Sequence, residues 1–267
     1  MSRIPDSALR ETLVATAHAL ADAARVETLR HFRAAPATDN KDADGFDPVT
    51  IADRAAERAM RDHLCVARPD DAILGEEYGT QDGTTGLTWV LDPIDGTRGY
   101  IAGTPTWGTL VAVSDAAGPL YGIVDQPYIG ERFEGGFGRA RMAGPHGPRN
   151  LATSATTALD TAILMTTFPE IGTAEEARAF AVLRDRVRLT RYGMDCYAYA
   201  LLAAGQVDLV VEAGLNPYDV HAPIAVVQAA GGIVTDWTGG PAHPGGRIVA
   251  AANAGLHARA LDALNGN

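Results

Sequence analysis

Trp89-Val-Leu-Asp92-Pro-Ile-Asp95-Gly96-Thr97 is an apolar run that stops abruptly at two carboxylates three residues apart. Its β-forming residues predict a strand, and the break at Pro93 and Gly96 predicts a tight turn at the end of that strand. Such a turn aims both acids at one cavity. Pro93 fixes φ and removes an N–H, which stiffens the turn, and Ile94 has only its carbonyl oxygen to offer. Gly96 and Thr97 then present backbone N–H groups where a helix start or a nest of amides holds an anion. An Asx-turn that merely closes the strand is the plainer reading of the same residues.

Further short β-rich runs follow, at Thr109 to Ser114, Leu120 to Val124 and Arg132 to Glu134, separated by Gly, Pro and Asp. Upstream, Leu9, Leu13, Ala17, Leu20, Ala24 and Leu29 recur at helical spacing from Ser7 to about Arg33. The polar segment Pro36 to Phe46 carries no apolar period and reads as a loop or short hairpin. Thr50 opens a second helix, with Asp53 at capping-box spacing and Ala56, Ala59, Met60 and Leu64 on its apolar side. Residues 1–145 therefore read as helices on a largely antiparallel sheet. After the Gly/Pro-rich stretch Gly135 to Pro148, strand-like runs near 163, 187, 207, 233 and 248 alternate with helical ones near 174, 195, 220 and 256. That alternation predicts α/β layering for residues 146–267, and the two halves are expected to form one catalytic unit.

The chain has 267 residues, 46% hydrophobic and 21% charged, which is the usage of an ordinary globular protein with a sizeable core. Acids outnumber bases 33 to 22 for a net charge of -11, so nucleic acid and anionic membranes are not expected partners. An acidic protein that handles phosphate needs local positive charge, and bound cations supply it. Apolar stretches such as Ala222 to Ala230 fall short of a membrane span, and the N-terminus lacks an apolar signal core, which points to a cytoplasmic protein. Cys65 and Cys196 form no CxxC pair and read as two small buried thiols.

Oxygen ligands without Cys or His favour a hard cation, Mg²⁺ or Mn²⁺. Paired Asp residues around two such ions suit in-line displacement at phosphorus. Other acids stand at similar places: Glu76 in Gly75-Glu76-Glu77 after the run Ala72-Ile-Leu, and Asp219 in Asn216-Pro-Tyr-Asp219-Val-His. Each has a plainer reading, Glu76 as half of a solvated pair, Asp219 as a helix N-cap, Asp53 as a capping-box acid and Asp47 as a turn starter.

Four segments, Asp47-Pro-Val-Thr-Ile-Ala-Asp53, Gly75-Glu76-Glu77, Asp92-Pro-Ile-Asp95-Gly96-Thr97 and Tyr218-Asp219-Val, resemble in order and spacing the signatures of inositol monophosphatases. The resemblance spans nearly the whole chain. It implies an α/β fold, a layered αβαβα sandwich like that of inositol monophosphatase and fructose-1,6-bisphosphatase, and a homodimer. It also implies that Glu76, Asp92 and the Ile94 carbonyl hold one Mg²⁺, that Asp92, Asp95 and Asp219 hold a second, and that Glu76 shares in a third; Mn²⁺ could substitute. Thr97, Asp53 and Glu76 would orient and deprotonate the attacking water, and Gly96 and Thr97 would receive the phosphate. Lys41 corresponds to a family lysine near the site. Water activated by the ions would then attack phosphorus directly, with no phosphoenzyme.

Within the family, the segments Gly96-Thr-Arg98-Gly-Tyr100 through Trp107, Gly122-Ile-Val-Asp125-Gln126-Pro127 and Arg191-Tyr-Gly-Met-Asp195-Cys-Tyr-Ala-Tyr199 resemble the histidinol-phosphatase branch. Gly99-Tyr100 and Met194 depart from its pattern. The resemblance places Asp195 and Glu212 against the alcohol portion of the substrate, with Asp219 beside them. Two carboxylates there suit a cation such as histidinol phosphate, whereas inositol offers only hydroxyls. Asp195 as a helix N-cap and Glu212 as a strand-end acid are the plainer readings. Arg98 reads equally as a substrate contact, a subunit contact or a surface arginine. Trp107, Tyr100, Tyr197 and Tyr199 read as core or interface aromatics, and His221 as structural or linked to solvent. Three functions stay open: a histidinol-phosphate phosphatase of histidine biosynthesis, an inositol-1-phosphate or broad sugar-phosphate phosphatase with the same chemistry, and a family member that chiefly binds a regulatory protein partner.

Overall fold

The computed structural model describes residues 5–34, 38–40 and 48–266. The first half comprises α1 (Ser7–His31), a short hairpin of β1 (Thr38–Asn40) and β2 (Pro48–Thr50), and α2 (Ile51–Ala67). Strands β3 (Ala72–Gly75), β4 (Gly79–Gln81) and β5 (Thr88–Asp95) follow, then α3 (Thr97–Ala102), β6 (Gly108–Asp115), β7 (Gly118–Gln126), β8 (Glu131–Gly136), β9 (Arg139–Ala143) and β10 (Arg149–Asn150). The second half comprises β11 (Ile163–Thr166), α4 (Ala174–Arg184), β12 (Leu189–Tyr192), α5 (Cys196–Ala203), β13 (Leu209–Leu215), α6 (Pro217–Ala229), β14 (Ile233–Asp236), β15 (Gly246–Ala251) and α7 (Ala254–Leu264).

An eight-stranded sheet runs in the order β10-β9-β8-β7-β6-β5-β3-β4, and a five-stranded sheet in the order β12-β11-β13-β15-β14. Among the described residues of the larger sheet, only β3 and β5 pair in parallel. Side-chain alternation sorts each central strand between two cores. Trp89, Leu91, Val111, Val113, Tyr121 and Ile123 point to one face and bury α1 and α2 there, while Val90, Leu110, Ala112 and Val124 point to the other. That second core is filled by α5 and α6, and the inner face of the smaller sheet closes it. The outer face of the smaller sheet is covered by α4 and α7. The result is the five-layered αβαβα stack that the sequence resemblance implied.

Helix α6 lies unusually close to the larger sheet because two strand residues opposite it lack side chains. A Cβ on Gly122 would fall 2.8 Å from the Ala222 Cα, and one on Gly135 would fall 2.5 Å from the Val226 Cα. This approach sets where the N-terminus of α6, and Asp219 with it, stands relative to β5.

Several local expectations need correction. The Gly/Pro-rich stretch 135–148 contains β9, whose polar, arginine-rich sequence hid the strand because its neighbours lie near the sheet edge. The predicted strand at 187–190 is displaced to 189–192, and the one at 207–211 extends to 215, so Glu212 lies inside β13 rather than after it. Leu29 is 38% exposed while Thr28 is buried, and Cys65 is exposed rather than buried. The pair Lys41 and Asp47 lies outside the described residues.

Candidate metal centre and active site

In a regular strand, residues three apart face opposite sides. Asp92 and Asp95 escape that rule because the β5–β6 register slips by one residue between them: Asp92 pairs with Leu110, but Asp95 with Gly108. The extra residue makes a bulge in the Pro93-Ile94 segment, where Pro93 needs no ladder N–H and its carbonyl accepts from Thr109 Oγ1 at 2.8 Å. The bulge turns both carboxylates to one side, where Asp219 meets them. One carboxylate oxygen each from Asp92, Asp95 and Asp219 lies within 4.8 Å of the others, a group that could hold a metal ion.

Each acid is held by its own local structure. Asp219 is the N3 residue of α6, not its N-cap; Asn216 caps the helix, and the Asn216 N–H donates back to Asp219 Oδ2 at 2.6 Å. Asp95 Oδ2 accepts the Cys196 N–H at 2.6 Å, so a carboxylate from the first half caps α5 in the second. Asp195 occupies the N-cap position of α5 but makes no cap bond, which disposes of the simple capping explanation for it. Its backbone sits at φ 47, ψ -138, a sparsely populated conformation for a residue with a side chain. That geometry brings its carboxyl against Gly96, where a Cβ would fall 2.9 Å from Asp195 Cγ. Gly96 itself has φ 85, and the N–H groups of Thr97 and Arg98 start α3 without intrahelical acceptors.

Burial and mutual repulsion shift these groups strongly. Burial pushes Asp92 well above the ordinary carboxylate range, with further push from Glu76, Asp95 and Asp219. Burial likewise raises Asp95 to about 7, with Asp219 adding to the rise, and raises Asp219 and Asp195 to about 7. Glu212 is 5% exposed and is raised by burial to about 8, even though Thr166 Oγ1 and the Thr167 N–H and Oγ1 all donate to it. So many buried acids cannot ionise together unless protons or cations balance them. Buried Asp92 Oδ1 has no hydrogen-bond partner among the described residues. An all-oxygen donor set with a vacant buried lone pair fits a hard divalent cation.

Beside the three aspartates lies a cavity of about 230 Å³ whose lining includes Asp95, Asp195, Glu212, Asp219, Phe168 and Tyr199. The Arg98 guanidinium stands over the Phe168 ring at 4.9 Å near it. A larger groove of about 510 Å³ lies on the outer side of α2, lined by Arg54, Arg58 and Tyr78 among others and by none of the site acids.

The family model for the inositol monophosphatase family matches residues 9–266. The chain belongs to the inositol monophosphatase family. Bifunctional phosphatase IMPL2, chloroplastic, from Arabidopsis thaliana is 40% identical over 275 residues, covering 98% of this chain and 78% of that protein. A histidinol-phosphatase from Streptomyces coelicolor is 36% identical over 260 residues, covering 93% and 95%. The solved inositol monophosphatase from Zymomonas mobilis is 38% identical, with a TM-score of 0.84 over 98% of this chain and 100% of the other. This inositol monophosphatase family member is accordingly a metal-dependent phosphatase.

Of the residues singled out from the sequence, the structure brings Asp92, Asp95 and Asp219 together, with Glu76 close enough to raise Asp92. Asp195 and Glu212 line the adjoining cavity. Asp53 is fully buried in the first turn of α2, where the Thr50 N–H and hydroxyl donate to Oδ2 at 2.8 and 2.5 Å. Thr97 Oγ1 donates to the Ile94 carbonyl at 3.1 Å. Arg98 is exposed at the edge of α3. Tyr100 and Trp107 pack with Phe32 and Ile94 behind the site, and Tyr199 is core that also lines the cavity. His221 is structural: its Nε2 faces the His243 carbonyl at 3.0 Å and so donates, leaving Nδ1 to accept from Ser114 Oγ at 2.7 Å. Thr166, Thr167 and Phe168 were not singled out from the sequence, because nothing local marks the end of β11 as a wall of the site.

Proposed function

We propose that the protein hydrolyses L-histidinol phosphate to L-histidinol and phosphate, as a step of histidine biosynthesis. The observation that carries this reading is the pair Asp195 and Glu212 in the cavity next to the three aspartates. The cavity wall that would face the leaving alcohol is acidic, and an alcohol bearing an ammonium and an imidazole would satisfy it with charge-assisted hydrogen bonds. The histidinol-phosphatase relative supports the same choice.

In this reading Glu76, Asp92, the Ile94 carbonyl, Asp95 and Asp219 would hold two or three Mg²⁺ ions. Bound divalent cations polarise the attacking water and offset charge on the transferring phosphoryl group. Glu76 accepts the proton of that water, and Thr97 and Asp53 orient it. The N–H groups of Gly96 and Thr97 receive phosphate oxygens, and the N-termini of α5 and α6 add favourable dipoles for an anion. We further propose a cytoplasmic homodimer; free Cys65 and Cys196 suit a reducing compartment.

A second reading, an inositol-1-phosphate phosphatase, is favoured by the likeness to the Zymomonas mobilis structure. Carboxyls raised to about 7 and 8 also accept and donate hydrogen bonds to neutral hydroxyls. Turnover of histidinol phosphate and inositol 1-phosphate with Mg²⁺ decides between them. The histidinol ester should be used with at least tenfold higher kcat/KM, and Asp195→Ala should erase most of that preference. Equal or better use of the inositol ester would defeat the first reading.

A further inference from the structure

Glu57 is a fully buried carboxylate in α2, among Ala56 and Met60 on the face that packs against the larger sheet. A buried glutamate needs strong partners. It has three donors: Arg61 Nε reaches Oε1 at 2.7 Å, the Glu77 N–H reaches Oε2 at 2.6 Å, and the Tyr78 N–H reaches Oε1 at 3.2 Å. Its entry depends on Gly75, where a Cβ would fall 2.0 Å from Glu57 Oε1.

These bonds bracket Glu76. On its N-terminal side the Glu76 N–H is fastened to the Leu91 carbonyl of β5 at 3.2 Å, one residue before Asp92. On its C-terminal side the next two N–H groups are fastened to Glu57. The rest of the turn is gripped by the same helix, through Arg61 Nη2 to the Gly79 carbonyl at 2.5 Å and Arg58 Nη2 to Tyr78 Oη at 2.8 Å. Asp53 stands one helical turn before Glu57 on the same face of α2. One rigid helix thus carries Asp53 directly and fixes Glu76 through Glu57. A buried ion pair is a poor device for stability alone, since apolar residues of like volume pack as well, but three converging donors fix a turn in direction as no apolar contact does.

We propose that Glu57 is a positioning residue that sets the Glu76 carboxylate against Asp92 for cation binding. The proposal rests on the reading of Glu76 as a cation ligand. An amide at position 57 keeps one acceptor but turns its NH₂ toward a donor, so the turn and Glu76 with it must shift.

The test is Mn²⁺ affinity of the metal-stripped protein, read by electron paramagnetic resonance, for wild type, Glu57→Gln, Glu57→Asp and Glu76→Gln. Glu76→Gln and Glu57→Gln should each weaken Mn²⁺ binding about tenfold or more. Glu57→Gln should regain most of its kcat at saturating Mg²⁺, whereas Glu76→Gln should not. Wild-type Mn²⁺ affinity in folded Glu57→Gln overturns the proposal, whatever happens to its melting temperature. If Glu57→Gln does not fold, Glu57→Asp is read the same way, because it keeps the charge but withdraws the carboxylate by one methylene. Failure of wild type to bind Mn²⁺, or of Glu76→Gln to weaken it, would instead overturn the reading of the metal centre and the proposal with it.

Discussion

Stripping the divalent cations should make the stability of this protein fall as pH rises, opposite to the usual effect of carboxylates. Asp95, Asp195 and Asp219 each rise from an ordinary 3.8 to about 7 in the folded chain, chiefly through burial. A carboxyl with a higher pKa folded than unfolded contributes fully below about pH 4 and loses that contribution as pH climbs to about 7. For Asp95 the rise is about three pH units at about 1.4 kcal/mol each, so ionising it in the folded protein costs roughly 4 kcal/mol. At about 2–4 °C per kcal/mol for a chain of this size, one such group corresponds to roughly 10 °C in Tm. A bound divalent cation replaces the protons and removes the cost. Glu134, lowered to about 2 by His18, Tyr121 and Arg141 against the opposing and largest effect of its burial, loses stability in acid, but equally with and without cations. Calorimetry in EDTA and in Mg²⁺ from pH 4.5 to 8 isolates the difference. The gap in Tm should be small at pH 4.5 and wider by at least about 10 °C near pH 7.5, and Asp95→Asn should shrink it. A gap that stays constant or narrows with pH would refute the reasoning.

Two further substitutions probe the geometry. Gly135→Ala should cost about 1–3 kcal/mol, because its Cβ would meet the Val226 Cα at 2.5 Å; by pushing α6 outward it should also weaken Mn²⁺ binding through Asp219, and unchanged binding would count against α6 as the carrier of that ligand. Asp195→Gly should relieve strain at φ 47 and stabilise by about 1 kcal/mol in thermal melts while lowering kcat/KM for the cationic ester; lower stability would mean that Asp195 is a structural residue.

Much of this was legible in the chain itself. The apolar, β-rich runs Trp89 to Leu91 and Thr109 to Ser114 mark strands buried on both faces, and the helical period in α1 and α2 marks helices that bury one apolar face. The capping box at Thr50 and Asp53 is local, so the spacing of the two residues suffices to show it. The acids at the ends of β3 and β5 and at the start of α6 each have a plainer local reading, and they stand out because their four segments together match the family in order and spacing. Strand β9 was hidden because its residues near the sheet edge need no apolar pattern. Glu57 joins Asp53 as a charged residue on the inward stripe of α2, a signal that only its burial makes decisive.

By itself the sequence determined the elements, the family resemblance and the chemical type of the site, since oxygen donors and short-range periodicity are properties of neighbouring residues. The sequence predicts a turn that aims Asp92 and Asp95 one way, but only the tertiary structure decided the means, a bulge between them inside β5 that depends on pairing with β6. It alone decided that Asp219, more than a hundred residues away, joins them, because Gly122 and Gly135 let α6 settle onto the sheet. Convergence of this kind is set by contacts between distant segments, whose closeness no local pattern encodes, and the raised pKa values of the cluster follow from burial and that closeness.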